Sequence, residues 1–112
     1  MQDCLFCRMI RKEIQAKVEY EDENVLAIHD IHPQAPQHLL VIPKKHIAKI
    51  GDMDISDAPL LGNLIFQARQ IAVRCGLEDY RLVFNNGAGA GQSVFHIHLH
   101  LLSGRRMHWP PG

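Results

Sequence analysis

The chain has 112 residues, enough for one hydrophobic core and too few for two domains of ordinary size, so a single domain over residues 1–112 is expected. Lys plus Arg and Asp plus Glu each total 12 and the pI is about 7.1, which leaves no basic footprint for nucleic acid or an anionic membrane and favours a small ligand. The amino terminus lacks a signal-like apolar core, no apolar run approaches the roughly 20 residues of a membrane span, and three cysteines are an odd number for a disulfide framework, so a cytoplasmic location is expected.

In chain order, Asp3 reads as the N-cap of a short amphipathic helix that carries Leu5, Phe6, Met9 and Ile10 at helical spacing and ends near Glu13. Residues 18–21 and 24–30 read as strands around an Asp22-Glu23 turn, and 38–43 as a buried strand closed by Pro43. A proline-punctuated loop, IHPQAP, precedes that third strand. Ser56 reads as the cap of the one long helix, with Pro59 in its first turn. Its apolar stripe is Leu61, Leu64, Ile65, Ala68, Ile71, Ala72 and Cys75, and Gly76 stops it. Residues 80–85 and 94–102 read as the last two strands, linked by the glycine-rich NGAGAGQS, and the chain finishes in RRMHWPPG, whose prolines forbid further regular structure. Five strands joined mostly by hairpin-length links, with one short and one long helix, predict an α+β domain built on an antiparallel sheet.

The last strand poses the functional question. In FHIHLHLL, strand alternation puts His96, His98 and His100 on one face and Phe95, Ile97, Leu99 and Leu101 on the other. Three imidazoles in a plain core would be destabilising, because each needs partners for both nitrogens and charges near neutral pH. Two chemistries remain open: a zinc shared by histidines at i and i+2, or nucleophilic catalysis by a neutral imidazole held in one tautomer. Same-face positions lie about 6.6 Å apart along a strand, so three rings span about 13 Å and only one can attack a given phosphorus. In the preceding loop, Gly87, Gly89 and Gly91 permit close ligand approach, and Ser93 stands three residues before His96, so amides, a hydroxyl and imidazoles can meet at one phosphate. Cys4 and Cys7 share a helix face, and a zinc there would need two further ligands. A thioredoxin-like reading is disfavoured, because no strand precedes the pair.

The stretch from Gln92 to Leu102 resembles the signature of the histidine triad superfamily of nucleotide hydrolases and transferases, His-φ-His-φ-His-φ-φ with φ apolar. IRKEI (10–14), HDIHPQAPQH (29–38), VIPKKHI (41–47) and MHWPPG (107–112) are similar to its Hint branch, the histidine triad nucleotide-binding proteins. The resemblance spans almost the whole chain. It implies a homodimer whose sheets join across the interface and an enzyme that hydrolyses purine nucleoside phosphoramidates, conjugates of AMP or GMP with an amine, at the P–N bond. The alternatives are a dinucleoside polyphosphate hydrolase or nucleotidyl transferase of the same superfamily, or a non-catalytic nucleotide-binding or interaction module.

Carried over position by position, the resemblance implies that His98 takes the nucleotidyl group, that His100 and Ser93 contact the phosphate and assist the leaving amine, and that His96 orients the site or binds metal. Asp30 would hold the ribose hydroxyls. Asn85, Gly91 and Gln92 would contact phosphate or ribose, and Leu5, Phe6, Ile28 and Ile31 would form the slot for the base, with Ile28 replacing an aromatic often found in that branch. Trp109 would reach the partner subunit's site. The chemistry needs no metal. Some bacterial members carry a cysteine pair and bind zinc, which here implies a structural site of Cys4, Cys7, His46 and His96.

Overall fold

In the computed structural model, which describes residues 4–112, five strands form one antiparallel sheet: β1 (Val18–Glu21), β2 (Val25–His29), β3 (Gln37–Pro43), β4 (Tyr80–Val83) and β5 (Leu99–Ser103), ordered β1-β2-β3-β5-β4. Helix α1 (Leu5–Ile10) lies on one face and the long helix α2 (Ala58–Arg74) on the other. Side-chain alternation sorts the core accordingly. Val25, Ala27, Leu39, Val41, Leu99 and Leu101 pack against Leu64, Ala68, Ile71 and Ala72 of α2, while Leu26, Ile28, Leu40 and Ile42 pack against Phe6 of α1. The expected α+β architecture is present, and among the described residues no helix is long and apolar enough to cross a membrane.

Several local expectations shift for identifiable reasons. The N-cap expected at Asp3 lies outside the described residues; Cys4 caps α1 instead, its Sγ accepting the Cys7 N–H at 3.2 Å. Helix α1 stops at Ile10 rather than near Glu13, because Lys12 adopts a positive φ of 65° and the Glu13 N–H bonds back to the Arg8 carbonyl at 2.9 Å. Ser56 does not cap α2. Asp54 and Asp57 make a reciprocal capping box just before it, and the buried Asp57 carboxylate also holds Lys45 at 2.6 Å, tying the PKKH segment to the start of α2. Ile65, at the border of the predicted stripe, and Cys75, past the last turn, are exposed.

The last strand is shorter than the predicted 94–102. Its ladder with β3 runs from Ser103 opposite Gln37 to Leu99 opposite Val41 and ends there. Beyond that point β3 reaches Pro43, which has no N–H to donate, and the Ile97 N–H bonds to the Ile47 carbonyl instead at 2.8 Å. Residues 94–98 are therefore outside the ladder, and only His100 of the three histidines lies within a strand. The alternation of faces survives from 96 to 101, with Ile97, Leu99 and Leu101 buried against α2, but Phe95 is 41% exposed and does not join them.

Candidate functional site

A cavity of about 220 Å³ opens between α1 and the sheet face that carries the histidines. Leu5, Phe6 and Met9 wall it from α1, Gln15 to Lys17 from the approach to β1, and Ile28 to His32 from the end of β2 and the loop beyond. Leu40, Ser93, Val94, His98 and His100 complete it. Thus Leu5, Phe6, Ile28, Asp30, Ile31, Ser93, His98 and His100, all named by the family resemblance, line one cavity. His96 does not line the cavity and is wholly buried beside it. Asn85, Gly91 and Gln92 lie in the preceding loop and do not line it either. The Gln92 side chain is committed to that loop: its Oε1 accepts the Gly87 N–H at 2.7 Å, and its Nε2 donates to the carbonyls of Ala48 and Val94. Trp109 is 82% exposed in the tail.

The tautomers of the histidines follow from their backbone partners. A carbonyl only accepts, so His98 Nδ1 carries the hydrogen it shares with the His96 carbonyl at 2.8 Å, and its Nε2 keeps a lone pair on a ring that lines the cavity. Burial pushes the His98 pKa below the ordinary imidazole value, against a smaller opposing pull from that carbonyl and Asp30, which keeps the ring neutral. His100 is set by a residue that the histidine pattern did not single out, His38. There Nδ1 accepts the Gln34 N–H at 3.0 Å, so a neutral His38 carries its hydrogen on Nε2 and donates it to His100 Nδ1 at 2.9 Å. His100 then carries its own hydrogen on Nε2. Burial, with His98 and His38 adjoining, pushes His100 down to about 4. One lone pair and one N–H thus stand on neighbouring rings whose centroids are 4.9 Å apart, closer than the backbone pitch because the rings lean together. Asp30 is steadied by an Asx contact, its Oδ1 accepting the His32 N–H at 2.8 Å, while Oδ2 lies 3.5 Å from His38 Nε2.

Behind the cavity, Cys4, Cys7, His46 and His96 bring four donor atoms together. Each sulfur lies 3.3 to 3.6 Å from each Nδ1, and the two Nδ1 atoms are 3.1 Å apart. Donors on a tetrahedral zinc, with bonds of about 2.0–2.1 Å to nitrogen and about 2.3 Å to sulfur, lie roughly 3.3–3.8 Å from one another, so the spacing fits. The tautomer fits too. His96 Nε2 donates to the Pro43 carbonyl at 2.7 Å, which leaves Nδ1 unprotonated towards the cluster. Burial pushes the Cys7 thiol up and pushes His46 and His96 down, His96 to about 4, so Cys7, His46 and His96 are neutral groups until a cation compensates them. Asp30, His38 and His100 also cluster, but His38 Nε2 carries a hydrogen and cannot ligate, so that group is a hydrogen-bonded relay.

The family model described as "Scavenger mRNA decapping enzyme C-term binding" matches residues 3–108. An uncharacterized HIT-like protein of Synechocystis is 48% identical over 112 residues, covering 99% of this chain and 98% of that one. A maize protein named "14 kDa zinc-binding protein" is 50% identical over 114 residues, covering 96% and 87%. Among solved structures, a HIT family hydrolase from Legionella pneumophila superposes with a TM-score of 0.95 at 56% identity, covering 98% of this chain and all of the other. A histidine triad protein from Clostridium difficile superposes with a TM-score of 0.93 at 34% identity, each chain covered to 96%.

Proposed function

The chain belongs to the histidine triad superfamily and has the fold of its hydrolases, and we propose that it hydrolyses the P–N bond of purine nucleoside phosphoramidates. One observation carries this reading: within one cavity, His98 Nε2 offers a lone pair and the adjoining His100 Nε2 offers a proton. In the first step the His98 lone pair attacks phosphorus and the P–N bond breaks as the leaving amine takes a proton from solvent, the departing nitrogen or the phosphate being held by hydrogen bonds from His100 Nε2–H and the Ser93 hydroxyl. An amine leaves phosphorus poorly unless protonated, so the hydrogen bond that steadies the departing nitrogen matters as much as the nucleophile. In the second step a water attacks the nucleotidyl group on His98 and releases its proton to solvent, and His98 returns with its Nε2 lone pair and Nδ1 hydrogen as before. Asp30 holds the ribose hydroxyls, and the base of an AMP or GMP conjugate lies among Leu5, Phe6, Ile28 and Ile31, all of which line the cavity.

Cys4, Cys7, His46 and His96 would hold one zinc. Bound there, its four positions are all filled by protein, so it supplies a cross-link rather than an open coordination position. The protein acts as a homodimer. In support, β4 is a sheet edge, and Phe66, Val73 and Trp109 expose apolar surface that a partner would cover. A P–O–P reading, hydrolysis of a dinucleoside polyphosphate, is favoured by the decapping name of the matching family model and uses the same His98 step.

The test compares adenosine phosphoramidate and diadenosine polyphosphate as substrates and traps the intermediate by rapid acid- or base-quench and mass spectrometry. His98→Ala should abolish turnover while retaining AMP binding, and the wild type should carry a nucleotidyl group on His98. Near-normal turnover by His98→Ala overturns the assignment; preference for the polyphosphate moves the substrate class to the second reading.

A further inference from the structure

The zinc set and the nucleotide cavity share a helix and a residue. Helix α1 has six residues, too few to be stable alone, so it persists only through what fixes it to the sheet. Its apolar attachment is Phe6, 3% exposed among Leu26, Ile28, Leu40 and Ile42, and its polar attachments include Cys4 and Cys7 against His46 and His96. The same helix supplies Leu5, Phe6 and Met9 to the cavity wall. Phe6, between the two cysteines in sequence, stands edge-on to both His96 and His98, with ring centroids 6.0 and 5.0 Å away. His96 itself faces both ways: its Nδ1 belongs to the four-donor cluster, and its backbone carbonyl accepts the Nδ1 hydrogen of His98.

We infer that the Cys4-Cys7-His46-His96 cluster and the nucleotide cavity are energetically coupled through Phe6 and His96, so that metal at the first tightens nucleotide binding at the second. This rests on the zinc and nucleotide readings above and adds a linkage between them. Metal gathers Cys4 and Cys7 onto His46 and His96, which presses α1 against the sheet, closes the Phe6 wall and holds the 96–98 segment that carries the nucleophile's orienting carbonyl. A nucleotide seated against Leu5 and Phe6 holds the same helix from the other side. Coupling of this kind is reciprocal: whatever factor metal contributes to nucleotide affinity, nucleotide must contribute to metal affinity. No donor of the cluster lines the cavity, so metal reaches the nucleotide only through the helix and the 96–98 segment.

The experiment uses the full chain. AMP binding is measured by calorimetry on zinc-loaded protein and on protein stripped by a chelator, its fold checked by circular dichroism. Zinc affinity is measured by chelator competition with and without saturating AMP, which does not require stable zinc-free protein. Zinc should tighten AMP at least about fivefold, the lower end of usual allosteric coupling, and AMP should tighten zinc by the same factor. In Phe6→Leu, zinc should still bind but the mutual factor should fall towards one, whatever happens to either affinity alone. Binding of zinc and AMP with no mutual effect overturns the coupling and leaves the readings beneath it standing. An undiminished factor in Phe6→Leu overturns the coupling through Phe6. Failure of zinc or of AMP to bind at all overturns the underlying reading and the coupling together.

Discussion

His38→Leu isolates the contact that makes His100 Nε2 a hydrogen-bond donor to the leaving amine. The substitution puts an apolar side chain at a site that is 5% exposed and removes the Nε2–H that His100 Nδ1 accepts at 2.9 Å. His100 then either leaves that acceptor without a partner or moves its hydrogen to Nδ1, and in the second case its Nε2 presents a lone pair to the leaving amine. Leaving one buried acceptor unsatisfied costs about 1–3 kcal/mol. If that cost is felt in the transition state, kcat/KM for an alkylamine phosphoramidate falls about 5- to 150-fold. A leaving group that departs without a proton, such as the carboxylate of an acyl-AMP, should lose much less. His38→Gln, which offers an amide N–H in place of the imidazole, should recover part of the loss. The assay is steady-state turnover of both substrate types by the wild type and the two variants. Equal losses on both leaving groups, or wild-type kcat/KM on the alkylamine, refute the role of the His100 hydrogen bond.

Burial holds His98 below the ordinary imidazole range, so kcat/KM should be flat through pH 7 and fall only below pH 6.5 as the nucleophile protonates; an acid limb centred above 6.5 contradicts this. His100, at about 4 in the folded chain and near 6.5 unfolded, makes the unfolded state bind more protons between those values, so its contribution to stability is complete above pH 6.5 and is lost as pH falls towards 4, measurable by denaturant melts across that window. Protein prepared without chelators should carry about one zinc per chain, and Cys4→Ser should lose it with a lowered Tm, because a structural zinc contributes directly to folding; elemental analysis finding no zinc returns Cys4 and Cys7 to packing thiols. Sedimentation should show a dimer at micromolar concentration, and Trp109→Ala should keep that dimer while weakening discrimination among amine leaving groups; a monomeric wild type or unchanged discrimination removes the corresponding claim.

Local periodicity alone carried much of this protein. Period-two alternation placed His96, His98 and His100 on the face opposite Ile97, Leu99 and Leu101, and that held even where the ladder stops, because alternation is a property of extended backbone and needs no neighbour. Leu64, Ala68, Ile71 and Ala72 of the α2 stripe were legible from the helical repeat, while Ile65 and Cys75 fell outside the core, and the stop at Gly76 was legible from the freedom glycine has to take its φ of +71°. What the tertiary structure decided is which distant groups face one another. Strand order and the β3–β5 register bring His38 within hydrogen-bonding distance of His100, 62 residues on, and no local pattern marks His38 as different from any histidine opening a strand. Chain closure brings Cys4 to within 3.3 Å of His96, 92 residues away. The end of β3 at Pro43 turns the 96–98 segment out of the sheet, so that His96 faces metal donors while His98 faces the cavity. A sequence specifies faces through its own repeat. Partners across a fold depend on register and on where a ladder runs out of donors, and those belong to the assembled sheet.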